Sequence, residues 1–195
     1  MSGNLTKDRI LDAADRLFYQ QGYEPTSFAQ IASAVGISRG NFYHHFKTKD
    51  DILNAVINRR LNNTNSMLTN WEVTGNTPHQ RISSFINILM TNSAKIKRHG
   101  CPVGTLCSEL TKLNHPAKTD ANQLFTLFRA WLKQQFEHLG YQSEADALAM
   151  HLLAMSQGVA LLASAFEDEK FINTEVARLH QWLATYTTTI SQSEK

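Results

Sequence analysis

The chain has 195 residues, of which 42% are apolar and 18% charged, with a net charge of +2 and two cysteines. That composition supports one ordinary domain plus a small extra one and argues against a disordered chain. Two cysteines exclude a disulfide scaffold and suit a reducing cytoplasm. No apolar run of about 18 residues spans a membrane, and MSGNLTKDRILDAADRLF lacks a signal peptide's basic-then-apolar layout.

In chain order, Ile10, Leu11, Ala14, Leu17 and Phe18 recur at three and four, which predicts a helix from about Leu5 to Gln21. Gly22 caps it and Pro25 marks the connection. Ser27 and Gln30 form a capping box that starts a second helix at Phe28, and Gly36 ends it. Ser38 can cap a third helix. Thr48 with Asp51 repeats the capping logic and opens a long fourth helix with Ile52, Leu53, Val56, Ile57 and Leu61 inward. After the loop Glu72 to Pro78, helices are expected at about 78–98, 102–113, 117–139, 143–166 and 171–190. Ser143 and Asp146 read as another capping box. The fold class expected is all-α. It has an N-terminal three-helix helix-turn-helix domain over residues 1–47 and a larger helical domain over 48–195.

The stretch from Thr26 to Leu53 carries the chemistry. Ala32 suits a close helix crossing, and Gly36 supplies the dihedrals of a sharp turn. Phe28, Ile31, Val35, Ile37 and Phe42 make an inward face against Leu17 and Phe18. Arg39, Asn41, Tyr43 and His44 are left pointing outward, with Gly40 allowing close approach to a duplex. Between Ser38 and Lys49 there are three cations (Arg39, Lys47, Lys49) and no acid. A local basic spot on a near-neutral chain is what a selective DNA binder needs. Phe46 reads as core. His44 and His45 are neighbours on a helix and do not converge on one metal, and the other six histidines show no ligand spacing. No metal and no cofactor are expected.

Thr26-Ser27, Ile31-Ala32, Gly36-Ile37-Ser38, Gly40, Phe42-Tyr43, His45-Phe46 and Thr48-Lys49-Asp50 resemble the TetR family of bacterial transcriptional regulators. Val35, where a smaller Ala is usual, and His44, at a variable position, are minor departures. The resemblance implies that Thr26 and Ser27 bond phosphate at a helix N-terminus. Arg39, Asn41 and His44 would face base edges, with Arg suited to guanine and Asn to adenine. Tyr43 would reach phosphate or a thymine methyl, Lys49 would clamp the backbone, and Ser38 and Gly40 would complete the DNA-contacting set. The long domain would then bind an effector and dimerise.

Further along, the helix from about Ser143 to Phe166 is apolar nearly all round and carries Gly158 at its middle, which costs stability unless another backbone comes close. With the last helix it would form a four-helix dimer interface, for which Leu152, Met155, Gly158, Val159, Leu162, Leu179, Trp182, Leu183 and Tyr186 are candidates. Phe85, Leu89, Leu106, Phe125, Phe128, Trp131, His151 and Met155 are candidates to line an effector cavity. Leu110 also faces that way, and the few charges there favour a neutral or apolar effector.

Gly100-Cys101-Pro102 resembles a segment found in a subset of TetR-like regulators. Cys101 would lie near a helix N-terminus after Lys95, Lys97, Arg98 and His99, surroundings that favour thiolate. It is a candidate sensor; the alternative is that it only packs. Cys107, the second thiol candidate, falls roughly 240° round the helix from it, against a disulfide between the two.

The function expected is a dimeric regulator, a repressor, that binds a palindromic operator in double-stranded DNA and is released by a small-molecule effector. Two alternatives are weighed: an oxidant- or electrophile-sensing repressor using Cys101, and a helical interaction protein without DNA binding. An enzyme is not expected, because no nucleophile elbow, P-loop, dinucleotide fingerprint or zinc-hydrolase motif occurs.

Overall fold

The computed structural model describes residues 2–187, and every regular element among them is an α-helix. In order these are α1 (Ser2–Gln21), α2 (Phe28–Val35), α3 (Arg39–His45), α4 (Lys49–Thr74), α5 (Pro78–Thr91), α6 (Ser93–His99), α7 (Pro102–Lys112), α8 (Lys118–His138), α9 (Ala145–Ala165) and α10 (Glu169–Thr187). The described residues form two compact bodies: 2–63 with 102–124, and 64–101 with 125–187. α4 is shared, and α7 with the start of α8 joins the first body.

The first body is built on the predicted three-and-four spacing. Ile10, Ala14 and Phe18 of α1 are buried, as are Ile31 and Val35 of α2, Phe42 of α3, and Ile52, Leu53, Val56 and Ile57 of α4. Leu17, Phe28 and Ile37 are half-buried. The start of α4 is capped reciprocally: Asp51 N–H donates to Thr48 Oγ1 at 3.0 Å, and Thr48 N–H donates to Asp51 Oδ2 at 2.8 Å. The Thr48 N–H bond, then the Thr48 hydroxyl and the Lys47 N–H, hold the Asp51 carboxyl below its usual value. Arg60 of α4 ties α1 to α7, bonding Asp15 Oδ1 at 2.6 Å and the Pro102 carbonyl at 2.7 Å.

The second body closes around a core that includes Ile82, Phe85, Ile86, Leu132, Phe136, Leu152, Ile172 and Leu183. By length and composition α9 could also cross a membrane. Here Ala145, Leu148, Ala149, Leu152, Leu153, Ser156, Val159, Ala160 and Ala163 form a buried face, so it is a core helix.

Three boundaries differ from the sequence expectation. The helix expected at 78–98 breaks at Asn92, whose own Nδ2 donates to the Ile88 carbonyl at 3.1 Å; Asn competes for backbone groups in this way. α9 starts at Ala145 without a side-chain cap, because Asp146 pairs with Arg129 and not with Ser143. α10 starts at Glu169, and the expected end at Ile190 lies outside the described residues.

Candidate nucleic-acid interface

The helix-turn-helix is locally self-specified. Ser27 Oγ accepts the Gln30 N–H at 3.2 Å while Gln30 Oε1 accepts the Ser27 N–H at 2.7 Å. Gly36 sits at φ 74°, ψ 36°, the left-handed region, and its N–H reaches back to Ala32 and Ser33. Ser38 Oγ accepts the Asn41 N–H at 3.3 Å and so caps α3.

α3 has one anchor and an open face. Phe42 is 1% exposed, whereas Arg39, Gly40, Asn41, Tyr43 and His44 are all exposed. A Cβ added at Gly40 would meet nothing within 4 Å. Tyr43 is 45% exposed, with its ring standing edge-on against Phe28. Lys47 Nζ donates to the Tyr43 carbonyl at 2.7 Å, which places that cation at the C-terminal end of the helix. Phe46 is core and His45 is half-buried.

Two residues expected at the phosphates are engaged elsewhere. Thr26 is 1% exposed; its hydroxyl donates to the Gly22 carbonyl at 2.6 Å and accepts from Gln21 Nε2 at 3.1 Å. It braces the α1–α2 turn and has no open hydroxyl for DNA. The Lys49 ammonium donates to the Tyr23 and Glu24 carbonyls at 3.2 and 3.0 Å and lies 4.2 Å from the Tyr23 ring centroid. Sequence reasoning missed Glu109, whose carboxylate accepts the Tyr23 and Glu24 N–H groups at 2.8 and 2.9 Å. Only the chain fold brings it there.

The effector and dimer candidates separate by exposure. Phe85, Leu89, Phe128 and Trp131 are buried in the second body, with Phe125 half-buried beside them. Phe85 and Phe128 pack edge-on at 5.5 Å, Trp71 and Trp131 lie 5.6 Å apart, and the Trp131 indole N–H donates to Glu72 at 3.0 Å. Gln135 is fully buried, and its Nε2 has no partner. Leu106 and Leu110 are buried in the first body, and His151 and Met155 are exposed, so these do not belong to that interior. Leu152, Val159, Leu179 and Leu183 are 4% exposed or less and face their own core, which removes them from a dimer surface. Met155, Leu162 and the half-buried Gly158, Trp182 and Tyr186 remain. Cys101 is half-buried against the second core, and Cys107 is buried in the first body.

A short capped helix with a polar, basic face, held by its neighbour across a glycine turn, defines a helix-turn-helix DNA-binding protein. Residues 10–56 match the model of bacterial regulatory proteins of the tetR family, and residues 78–177 match the LmrA/YxaF-like transcriptional regulator C-terminal domain. The chain belongs to the TetR family of transcriptional regulators. Relatives include an HTH-type transcriptional regulator in the lacX 3' region of Lactococcus lactis, 28% identical across 84% of this chain and 85% of that one. The HTH-type regulator YxaF of Bacillus subtilis is 26% identical across 84% and 87%. A TetR regulator crystal structure from Legionella pneumophila superposes with a TM-score of 0.79 at 27% identity, covering 90% of this chain and 95% of that one.

Proposed function

We propose that this regulator acts in the cytoplasm as a dimeric repressor, binds a palindromic operator through α3 and leaves it when a small molecule occupies the second body. The open face of α3 carries the reading. Arg39, Asn41 and His44 address base edges, Tyr43 and Ser27 meet the backbone, Ser38 fixes the helix start, and Gly40 lets the helix axis come close. Two such heads reach half-sites about 34 Å apart, one turn of DNA.

Support for the dimer comes from α9. Opposite its buried face it presents Met150, Ala154, Met155, Gly158, Leu161 and Leu162, apolar or small and open to solvent or nearly so. Among the described residues, a Cβ at Gly158 would meet nothing within 4 Å, so the space over this glycine is open in one chain. A second copy is the occupant that such a face fits.

Support for an effector comes from the aromatic interior around Phe85, Phe128, Trp71 and Trp131, with the unpartnered Gln135 amide as a hydrogen-bond donor. The work of such a protein is binding, and no catalytic step is assigned to it. Gly100, at φ 73°, and Pro102 opening α7 support placing the chain with the Gly-Cys-Pro group of TetR-like regulators. Footprinting on the DNA flanking its own gene tests the reading: a protected, two-fold symmetric site is expected, and uniform protection at every concentration would count against it.

A further inference from the structure

The turn between α1 and α2 is bracketed by two opposite charges. Its backbone can be accounted for group by group. Gly22 N–H returns to Phe18 and Thr26 N–H to Tyr23, while Pro25 has none. The two remaining donors, Tyr23 N–H and Glu24 N–H, both end on the Glu109 carboxylate of α7. The carbonyls of the same two residues end on the Lys49 ammonium of α4. Gly22, at φ 97°, leaves the carboxylate its room: a Cβ there would meet Glu109 Oε1 at 2.9 Å. The buried Tyr23 side chain is held as well, by its hydroxyl on Asp50 and by the His115 ring edge at 5.1 Å, with His115 Nε2 3.5 Å from Asp50. Burial and then the Asp50 contact push that phenol well above its usual range, so it remains the donor.

We propose that Glu109 and Lys49 are positioning residues for operator reading: together they hold the Tyr23–Glu24 turn, and through it α2 and α3, in the DNA-competent arrangement. A free turn at this point leaves the entry to α2 loose, because Thr26, which precedes its cap, is tied to Gly22 and Gln21 and to nothing on α3. Both members of the bracket act without touching DNA. Lys49 therefore differs from a phosphate contact in a measurable way. Removing a phosphate contact lowers the salt dependence of binding by about one counterion, whereas removing a positioning residue lowers selective affinity and leaves that slope alone. The inference rests on the DNA-binding reading for its consequence, but not for its geometry.

Amide hydrogen exchange on the intact protein, combined with binding titrations on the footprinted operator and a random duplex, tests it. In the wild type the Tyr23 and Glu24 amides should be protected although they lie in a turn. Glu109→Gln can accept only one of the two N–H groups and sets its amide donor against the other. That variant should lose protection at those two amides while α1 and α7 keep theirs. Its operator affinity should fall about tenfold, the scale of one charge-assisted hydrogen bond, with random-duplex affinity unchanged. Lys49→Met should lower operator affinity without changing the salt slope. Unprotected Tyr23 and Glu24 amides in the wild type would overturn the bracket whether or not any variant folds. Unchanged operator selectivity in Glu109→Gln, or a salt slope reduced by about one in Lys49→Met, would overturn the positioning role. A wild type with no operator preference would instead sink the DNA-binding reading and with it the positioning role, while the exchange data still decide the bracket.

Discussion

The Tyr43 ring stands perpendicular to Phe28, with centroids 5.4 Å apart and planes at 90°. α2 thereby supports the most exposed aromatic of α3 from beneath. The ring is fixed by packing and the hydroxyl is left for a partner. Tyr43→Phe keeps the packing and removes only the hydroxyl. Operator binding should weaken by about 1.5 kcal/mol, roughly tenfold, as expected for a hydrogen bond to a charged phosphate. Thermal melting should be essentially unchanged, and a matched loss of stability would show instead that the hydroxyl serves the fold.

Gly40 offers the reverse separation. It lies in α3, with open space around the position of a Cβ and no positive φ. On folding grounds alone Gly40→Ala should stabilise the protein by about 0.5–1 kcal/mol. Operator affinity should nevertheless fall, because the added methyl occupies the surface facing the duplex. Denaturant unfolding and a binding titration on one preparation check both halves.

For the dimer face, Leu161 is 67% exposed and Leu152 fully buried on the same helix. Leu161→Glu should convert dimer to monomer in sedimentation velocity with the helical circular dichroism intact. Leu152→Ala should instead cost about 2–5 kcal/mol of stability by leaving a cavity. A stable dimer in Leu161→Glu would move the interface off α9.

His180 sets a pH dependence for the second body. Its ring nitrogen lies 2.9 Å from Asn87 Oδ1, and burial followed by the charge of His79 lowers its pKa from the usual 6.5. The unfolded chain then holds more protons than the folded one between the two values. Stability is complete above about 6.5 and declines as pH falls through that window. His180→Gln should flatten this part of a melting-temperature profile, and an unchanged slope would assign it to other groups.

The helix-turn-helix was legible because its evidence is local: capping residues, Gly36 and the placing of Phe42 all act within a few residues. Lys49 and Thr26 were harder, since the same side chains can serve a turn or a phosphate. What decides between them is a set of carbonyls and a carboxylate that only the fold positions. Glu109 lies 85 residues from Glu24 and leaves no trace in local pattern. The buried face of α9 was not legible for a different reason. A helix apolar all round has no phase, so nothing in its sequence says that Leu152 and Val159 turn inward while Met155 and Leu162 turn out.

Base reading by the exposed tip of α3 is tested by comparing wild type with Arg39→Ala on the operator and on a random duplex at one salt concentration. The preference for operator over random DNA should fall by about 1–3 kcal/mol, the value of one bidentate base contact, while the dimer stays folded. An unchanged preference, or an equal loss on both duplexes, would contradict it.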